Sequence, residues 1–221
     1  MCRLVRHCVS SLVLSAVWVL MASGAMAGIA GTAHDLGTSV GGGEICKFCH
    51  VPHNVTATRL LWNHTLSSNN FSWSDATKTY GGTDLPTNIK TWSGSSKNCL
   101  ACHDGSVALG DLTSGLIGDA DNKITGSAKI GPDLKGNHPV SVPYPEGGVK
   151  NTYNSIETGD DVPLGNYVSA PATVRIYHDG GGAADAGIEC ASCHEPHNDT
   201  LNPFLRITKD GSAICLACHA Y

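Results

Sequence analysis

Four short units carry the chemistry of this chain, and each has two cysteines separated by two residues and followed directly by a histidine. The units are Cys46-Lys47-Phe48-Cys49-His50, Cys99-Leu100-Ala101-Cys102-His103, Cys190-Ala191-Ser192-Cys193-His194 and Cys215-Leu216-Ala217-Cys218-His219. Two cysteines at this spacing can each form a thioether with a vinyl group of haem, and the adjacent histidine then reaches the iron. The pattern therefore predicts four covalently bound haem c groups per chain, with the motif histidines as proximal iron ligands.

Other uses of paired cysteines explain the pattern less well. Zinc ribbons use paired CxxC units, thioredoxin-like sites use one CxxC in a βαβ context, and exported chains commonly form disulfides. None of these requires a histidine after every pair. The chain has 11 histidines in 221 residues, so four such placements by chance have a probability on the order of 10⁻⁵. Haem attachment is the favoured interpretation.

The second axial ligand of each iron is predicted by elimination. All three methionines lie within the first 27 residues, a segment predicted to be removed, and the motif cysteines are committed to thioethers. Tyrosine, lysine, an open position or histidine then remain, and the six histidines of the mature chain outside the motifs, for four irons, make histidine the predicted distal ligand. His53 and His197 occupy the same place in two related motifs, three residues after the motif histidine. The distal candidates are His34, His53, His138 and His197, ahead of His64 and His178.

The N-terminal segment reads as a secretory signal peptide. A positive start at Arg3 and Arg6 precedes an apolar run that ends at Met21, and small residues lead to a cleavage site after Ala27. The apolar run is short for a membrane anchor of roughly 20 residues. Residues 1–27 are therefore predicted to be removed, leaving an exported chain, 28–221, with no membrane span.

The charge of the mature chain disfavours some partners. Removal of Arg3 and Arg6, with no acidic residue, makes the mature chain more acidic than the formal net charge of −5. An acidic chain is not expected to bind nucleic acid or an anionic lipid surface.

The motifs are arranged as a module that is used twice. The first and third motifs continue as CHVPHN and CHEPHN, and the second and fourth are both CLACH. Two-haem modules are thus predicted around 46–103 and 190–219, within one tetrahaem cytochrome domain of residues 28–221, and a segment without motifs, 104–189, links them.

No long stretch has the apolar period of a helix, and only 6% of the residues are aromatic. The predicted fold is mostly irregular coil with short helices at the haem motifs and a few short strands, built around a core of haems. Strands are predicted near 140–142 and 173–177. The aromatic residues expected to pack on porphyrin faces are Trp62, Phe71, Trp73, Trp92 and Tyr144.

The N-terminal arm from Gly28 to Gly43 is rich in glycine and lacks an apolar period. It is predicted to be too polar to fold alone and free to reach a neighbouring subunit with His34. The alternative is that His34 binds a haem of its own chain.

The whole mature chain resembles the doubled-CXXCH multihaem cytochromes of metal-reducing bacteria. The resemblance rests on the repeated CxxCHxPHN and CLACH motifs, on AHDLG upstream, on LLWNH after the first motif and on GNHPVSV between modules. Among such cytochromes, the outer-surface tetrahaem type polymerises head to tail into filaments of stacked haems. The resemblance implies self-association, with a distal histidine that crosses between subunits, and long-range electron transfer to extracellular acceptors or redox partner proteins.

Electron transfer rather than enzymatic catalysis is thus the expected function, at the outer cell surface or in the extracellular space. The first alternative is a monomeric electron shuttle in the periplasm with the same ligation. The second is a reductase of a small oxyanion, which would need an iron with an open coordination position.

Overall fold

The computed structural model describes residues 28–52, 61–73, 96–144, 154, 167–169, 174–178 and 186–220. The predicted signal peptide, His53 and Trp92 lie outside these residues. In the described part of the chain, no helix is long and apolar enough to cross a membrane.

The described helices are short, and each motif overlaps an α-helix or a 3₁₀ turn. The α-helices are α1 (Leu36–Ser39), α2 (Ser96–His103), α3 (Cys190–Cys193) and α4 (Ala213–Leu216). The 3₁₀ turns span Ile45–Phe48, Gly126–Ala128 and Asp210–Ser212. The predicted fold class, mostly coil with short helices and strands, is confirmed.

The strands form a small antiparallel sheet and a separate hairpin. The hairpin pairs β1 (Asp111–Leu112) with β2 (Gly115–Leu116). The sheet contains β3 (Val142–Pro143), β4 (Tyr167–Ser169), β5 (Arg175–His178) and β6 (Ala186–Ile188), in the order β3-β6-β5-β4. Strands β3 and β5 overlap the two predicted strand segments. Because β6 ends two residues before Cys190, the sheet leads directly into the third motif.

A buried apolar cluster joins this sheet to two of the motifs. Its residues are Phe71, Trp73, Leu100, Leu134, Val142, Tyr144, Val174, Ile176, Ile188 and Ala217. Leu100 belongs to the second motif and Ala217 to the fourth, so both motifs are anchored on the same core. Phe71, Trp73 and Tyr144 pack in this protein cluster. A second cluster packs α1 on the first motif through Leu36, Phe48 and Leu112.

The N-terminal arm packs on its own chain, which differs from the prediction that it is free. Ile29 and Leu36 are buried, and Gly28 forms a β-bridge with Asn198. The Asp35 carboxylate accepts hydrogen bonds from the backbone N–H groups of Gly31 (2.8 Å) and Thr38 (3.1 Å). Two apolar anchors and a helix cap therefore suffice to order an arm that has no apolar period.

Candidate functional site: four cysteine–histidine motifs and their facing histidines

Each motif closes a helical turn that brings its first cysteine and its histidine to one side. The backbone N–H of His50 donates to the Cys46 carbonyl (2.8 Å), and His219 bonds Cys215 in the same way (2.8 Å). The corresponding bond of the third motif is 3.1 Å long, and the second motif lies wholly within α2. Residues four apart on a helical turn share a face. The turn thus places the thiol of the first cysteine and the imidazole on the same side, where both could bind one haem.

Glu189 joins the starts of the second and third motifs. Its buried carboxylate accepts from the backbone N–H of Ser96 (3.1 Å), the first residue of α2, and from the Ser141 hydroxyl (3.2 Å). Glu189 is also the N-cap of α3, where it forms a capping box with Ser192. A carboxylate at two helix N-termini accepts otherwise orphaned N–H groups and complements the helix dipoles.

The thiols of these two motifs are also in contact. A hydrogen bond with the Cys99 thiol holds the pKa of Cys190 below its usual value. The second and third motifs therefore lie side by side.

Three pairs of histidine rings face each other, and each pair contains one motif histidine and one predicted distal candidate. The ring centroids are 6.2 Å apart for His34 and His103, 6.0 Å for His50 and His197, and 6.3 Å for His138 and His219. Two imidazoles on opposite sides of one metal ion, with bonds of about 2.0 Å and roughly 1.2 Å from nitrogen to ring centre, would have centroids about 6.4 Å apart. The spacing of all three pairs fits an iron held between two histidines.

For three of these histidines, and for the motif histidine His194, the ring hydrogen bonds resemble those of metal-ligating imidazoles. Four imidazoles donate from Nδ1, which leaves Nε2 available for iron. The acceptors are the Ala128 carbonyl for His103 (2.8 Å), the Pro139 carbonyl for His138 (2.9 Å), the Pro203 carbonyl for His194 (2.9 Å) and the Glu195 carboxylate for His197 (3.0 Å). The His34 ring hydrogen-bonds to the backbone carbonyl of Pro196, which raises its pKa. Desolvation by burial is the larger effect, so the pKa of His34 is lower than usual.

His64 is placed differently from the other histidines. It is 1% exposed, and both its nitrogens contact backbone carbonyls, with Nδ1 2.8 Å from Thr65 and Nε2 3.0 Å from Ala108. Its Nε2 also lies 3.3 Å from Cys102 Sγ. This environment favours a role in holding the second motif rather than iron ligation.

The remaining two distal candidates are described less fully. His53 lies outside the described residues, and His178 is the last residue of β5. Among the described side chains, no imidazole faces His194, the motif histidine of the third unit.

Two other uses of the motif cysteines, disulfides and a direct metal site, are not present among the described residues. In the described residues the eight motif cysteines form no disulfide, and no group of three or more histidine, cysteine or acidic side chains is placed to hold a metal ion directly. Burial raises the pKa of Cys49 to about 11 and that of Cys102 to about 12.

Sequence reasoning did not identify three residues that support the facing histidines. Phe204 stacks on His34, with centroids 4.3 Å apart. Glu195 accepts a hydrogen bond from His197. This bond, and after it the charge of Arg206, lower the pKa of Glu195 to about 2. Arg206 donates to Glu195 (2.8 Å) and to the Ala191 carbonyl (2.8 Å). The only sequence signal was position, since all three follow the third motif closely.

Comparison with known proteins agrees with the class that these motifs indicate. A family model described as "Doubled CXXCH motif" matches residues 182–221, which contain the third and fourth motifs. This match supports a multihaem c-type cytochrome that takes part in electron transfer, with covalently bound haem c. No curated protein matches the chain significantly.

Proposed function

We propose that the chain carries four haem c groups and transfers electrons as the subunit of an extracellular filament. The observation that best supports the tetrahaem part is the set of three facing histidine pairs, each with one histidine from a CxxCH motif. When bound, haem supplies an iron that gains or loses one electron, and two imidazoles on that iron leave no position for a substrate.

The proposed ligand pairs connect distant parts of the chain. The first motif pairs with the second repeat through His50 and His197, and the second motif pairs with the N-terminal arm through His103 and His34. The fourth motif pairs with the linking segment through His219 and His138. Each haem would then crosslink two segments, which is consistent with the small amount of regular secondary structure in the described residues.

The resemblance to filament-forming cytochromes supports the assembly part of the proposal. The haem of the third motif would take its second ligand from His53, from His178 or from a histidine of a neighbouring subunit. An iron–histidine bond across a head-to-tail contact would add a strong directional link. A contact of this kind that does not close on itself generates a helical filament. Cleavage after Ala27 and export to the cell surface complete the proposal.

The size of the secreted protein tests the assembly. Electron microscopy and size-exclusion chromatography of the secreted protein should show filaments with all four haems low-spin. A monomer with four low-spin haems would favour the periplasmic shuttle. A monomer with a high-spin haem that reduces nitrite would favour the oxyanion reductase.

A further inference from the structure

The bond between Glu195 and His197 differs in kind from the Nδ1 hydrogen bonds of His103, His138 and His194. The Nδ1 of His197 donates to the Glu195 carboxylate, whereas His103, His138 and His194 donate to backbone carbonyls. The His197 side chain is 57% exposed, so few other contacts can fix its ring.

A second partner fixes the carboxylate itself. Arg206 donates from Nη1 to the other oxygen of Glu195, and from Nε to the Ala191 carbonyl, inside the third motif. The Arg206 side chain is only 7% exposed, so the guanidinium is held rigidly. This ion pair leaves one carboxylate oxygen, Oε1, directed at His197.

The two repeats differ at this position. The first repeat reads Cys-His-Val-Pro-His-Asn and the second Cys-His-Glu-Pro-His-Asn, so Val51 occupies the place of Glu195. A valine side chain cannot accept a hydrogen bond. The position equivalent to Glu195 therefore offers a carboxylate in the second repeat, beside His197, and an apolar side chain in the first.

We propose that Glu195 sets the reduction potential of one haem, the one attached to Cys46 and Cys49 and held between His50 and His197. The proposal rests on the tetrahaem function above. A charged acceptor on Nδ1 draws the proton away from the ring and makes Nε2 a stronger electron donor than a carbonyl acceptor would. Stronger donation favours the ferric iron, which carries one more positive charge. Glu195 thus gives this haem a lower potential than a carbonyl-bonded pair would have.

Replacing Glu195 by Gln tests the proposal on the haem-loaded protein. Glutamine keeps the size of the side chain and an acceptor oxygen but removes the charge. A titration with dithionite, followed by haem absorbance, should show one of the four potentials moved to a higher value. The low-spin electron paramagnetic resonance signal of one haem should shift, with no high-spin signal.

Two further variants distinguish the effect of the Glu195–His197 hydrogen bond on the potential from a general effect of negative charge near the haem. Glu44→Gln removes one charge two residues before Cys46 from a side chain that is 80% exposed, and it should move no single potential comparably. In a His197→Met background, replacing Glu195 should no longer shift that haem selectively.

Three results would overturn the proposal: a Glu195→Gln protein with four unchanged potentials, a shift no larger than that of Glu44→Gln, or a high-spin haem. The high-spin result would mean that Glu195 is needed only to position His197 on the iron. Mass spectrometry of each variant would still count the haems, so these failures differ from a failure of the tetrahaem function.

Discussion

Ser96 and Glu189 tie together the starts of two helices that are far apart in the sequence. The Ser96 backbone N–H donates to the Glu189 carboxylate, and the Ser96 hydroxyl accepts from the Cys190 N–H (3.0 Å). Both side chains are about 1% exposed. Each motif helix is thus capped in part by a residue next to the other, and the second and third motifs are held at a defined separation.

Replacing Ser96 by Ala should destabilise the protein by about 1 kcal/mol, the usual cost of losing a helix cap. The Cys190 N–H would lose its described acceptor, while the Glu189 carboxylate would remain. Chemical denaturation followed by haem absorbance measures the loss. Ser114, an exposed serine, provides the control, because Ser114→Ala should leave stability within about 0.5 kcal/mol. Equal stabilities of the two variants would contradict the capping role.

Replacing His34 by Ala should convert one haem from low-spin to high-spin while all four remain attached. His34 faces His103 at 6.2 Å and is held by stacking on Phe204, so its loss would open one axial position. Absorbance and electron paramagnetic resonance spectra report the spin state, and mass spectrometry reports attachment. Four unperturbed low-spin haems would show that His34 is not a ligand.

His64 provides the opposite expectation and serves as the matched control for His34. Replacing His64 by Leu should leave the haems low-spin, because both ring nitrogens contact backbone carbonyls. The cost should appear in stability, at about 1–3 kcal/mol, because the single N–H of a neutral imidazole would no longer be there to donate to a carbonyl. A high-spin haem in this variant would assign His64 to an iron and contradict the structural role.

Gly110 should tolerate no side chain. A Cβ at this position would overlap the Ile117 carbonyl oxygen. Because this oxygen belongs to the backbone, the overlap cannot be removed by rotating a side chain. We expect Gly110→Ala to cost more than about 2 kcal/mol, since the β1–β2 hairpin must shift. Gly131→Ala is the comparison: its φ of +83° is strained for alanine, but nothing lies within 4 Å, so the cost should be about 1 kcal/mol. Denaturation midpoints that rank the two variants in reverse would contradict the packing.

The sequence predicted the local structure of the site better than its assembly. Short helices at the CxxCH motifs and a coil-rich fold were both predicted, and helical turns overlap all four motifs. The facing of His50 and His197 could not be predicted, because it depends on how the second repeat folds back over the first. The sequence ranked His34 ahead of His64 as a ligand, but it could not predict the carbonyls and rings that tertiary packing places around each of them.

The N-terminal arm shows the same limit. Apolar periodicity does not reveal isolated buried residues such as Ile29 and Leu36. The Asp35 cap adds hydrogen bonds within the arm itself. Glu195 and Arg206 were missed for a related reason. In the sequence they resemble ordinary surface charges, and only the tertiary structure shows that Glu195 bonds to His197 and to Arg206.

The number of haems per chain tests the central claim most directly. Mass spectrometry of the denatured, secreted protein measures covalent additions without depending on spin, potential or assembly. Our account predicts a chain that begins at Gly28 and carries four haem additions, one for each CxxCH motif. A chain with bound zinc and no haem, with disulfides among the motif cysteines, or with fewer than four haems would contradict it.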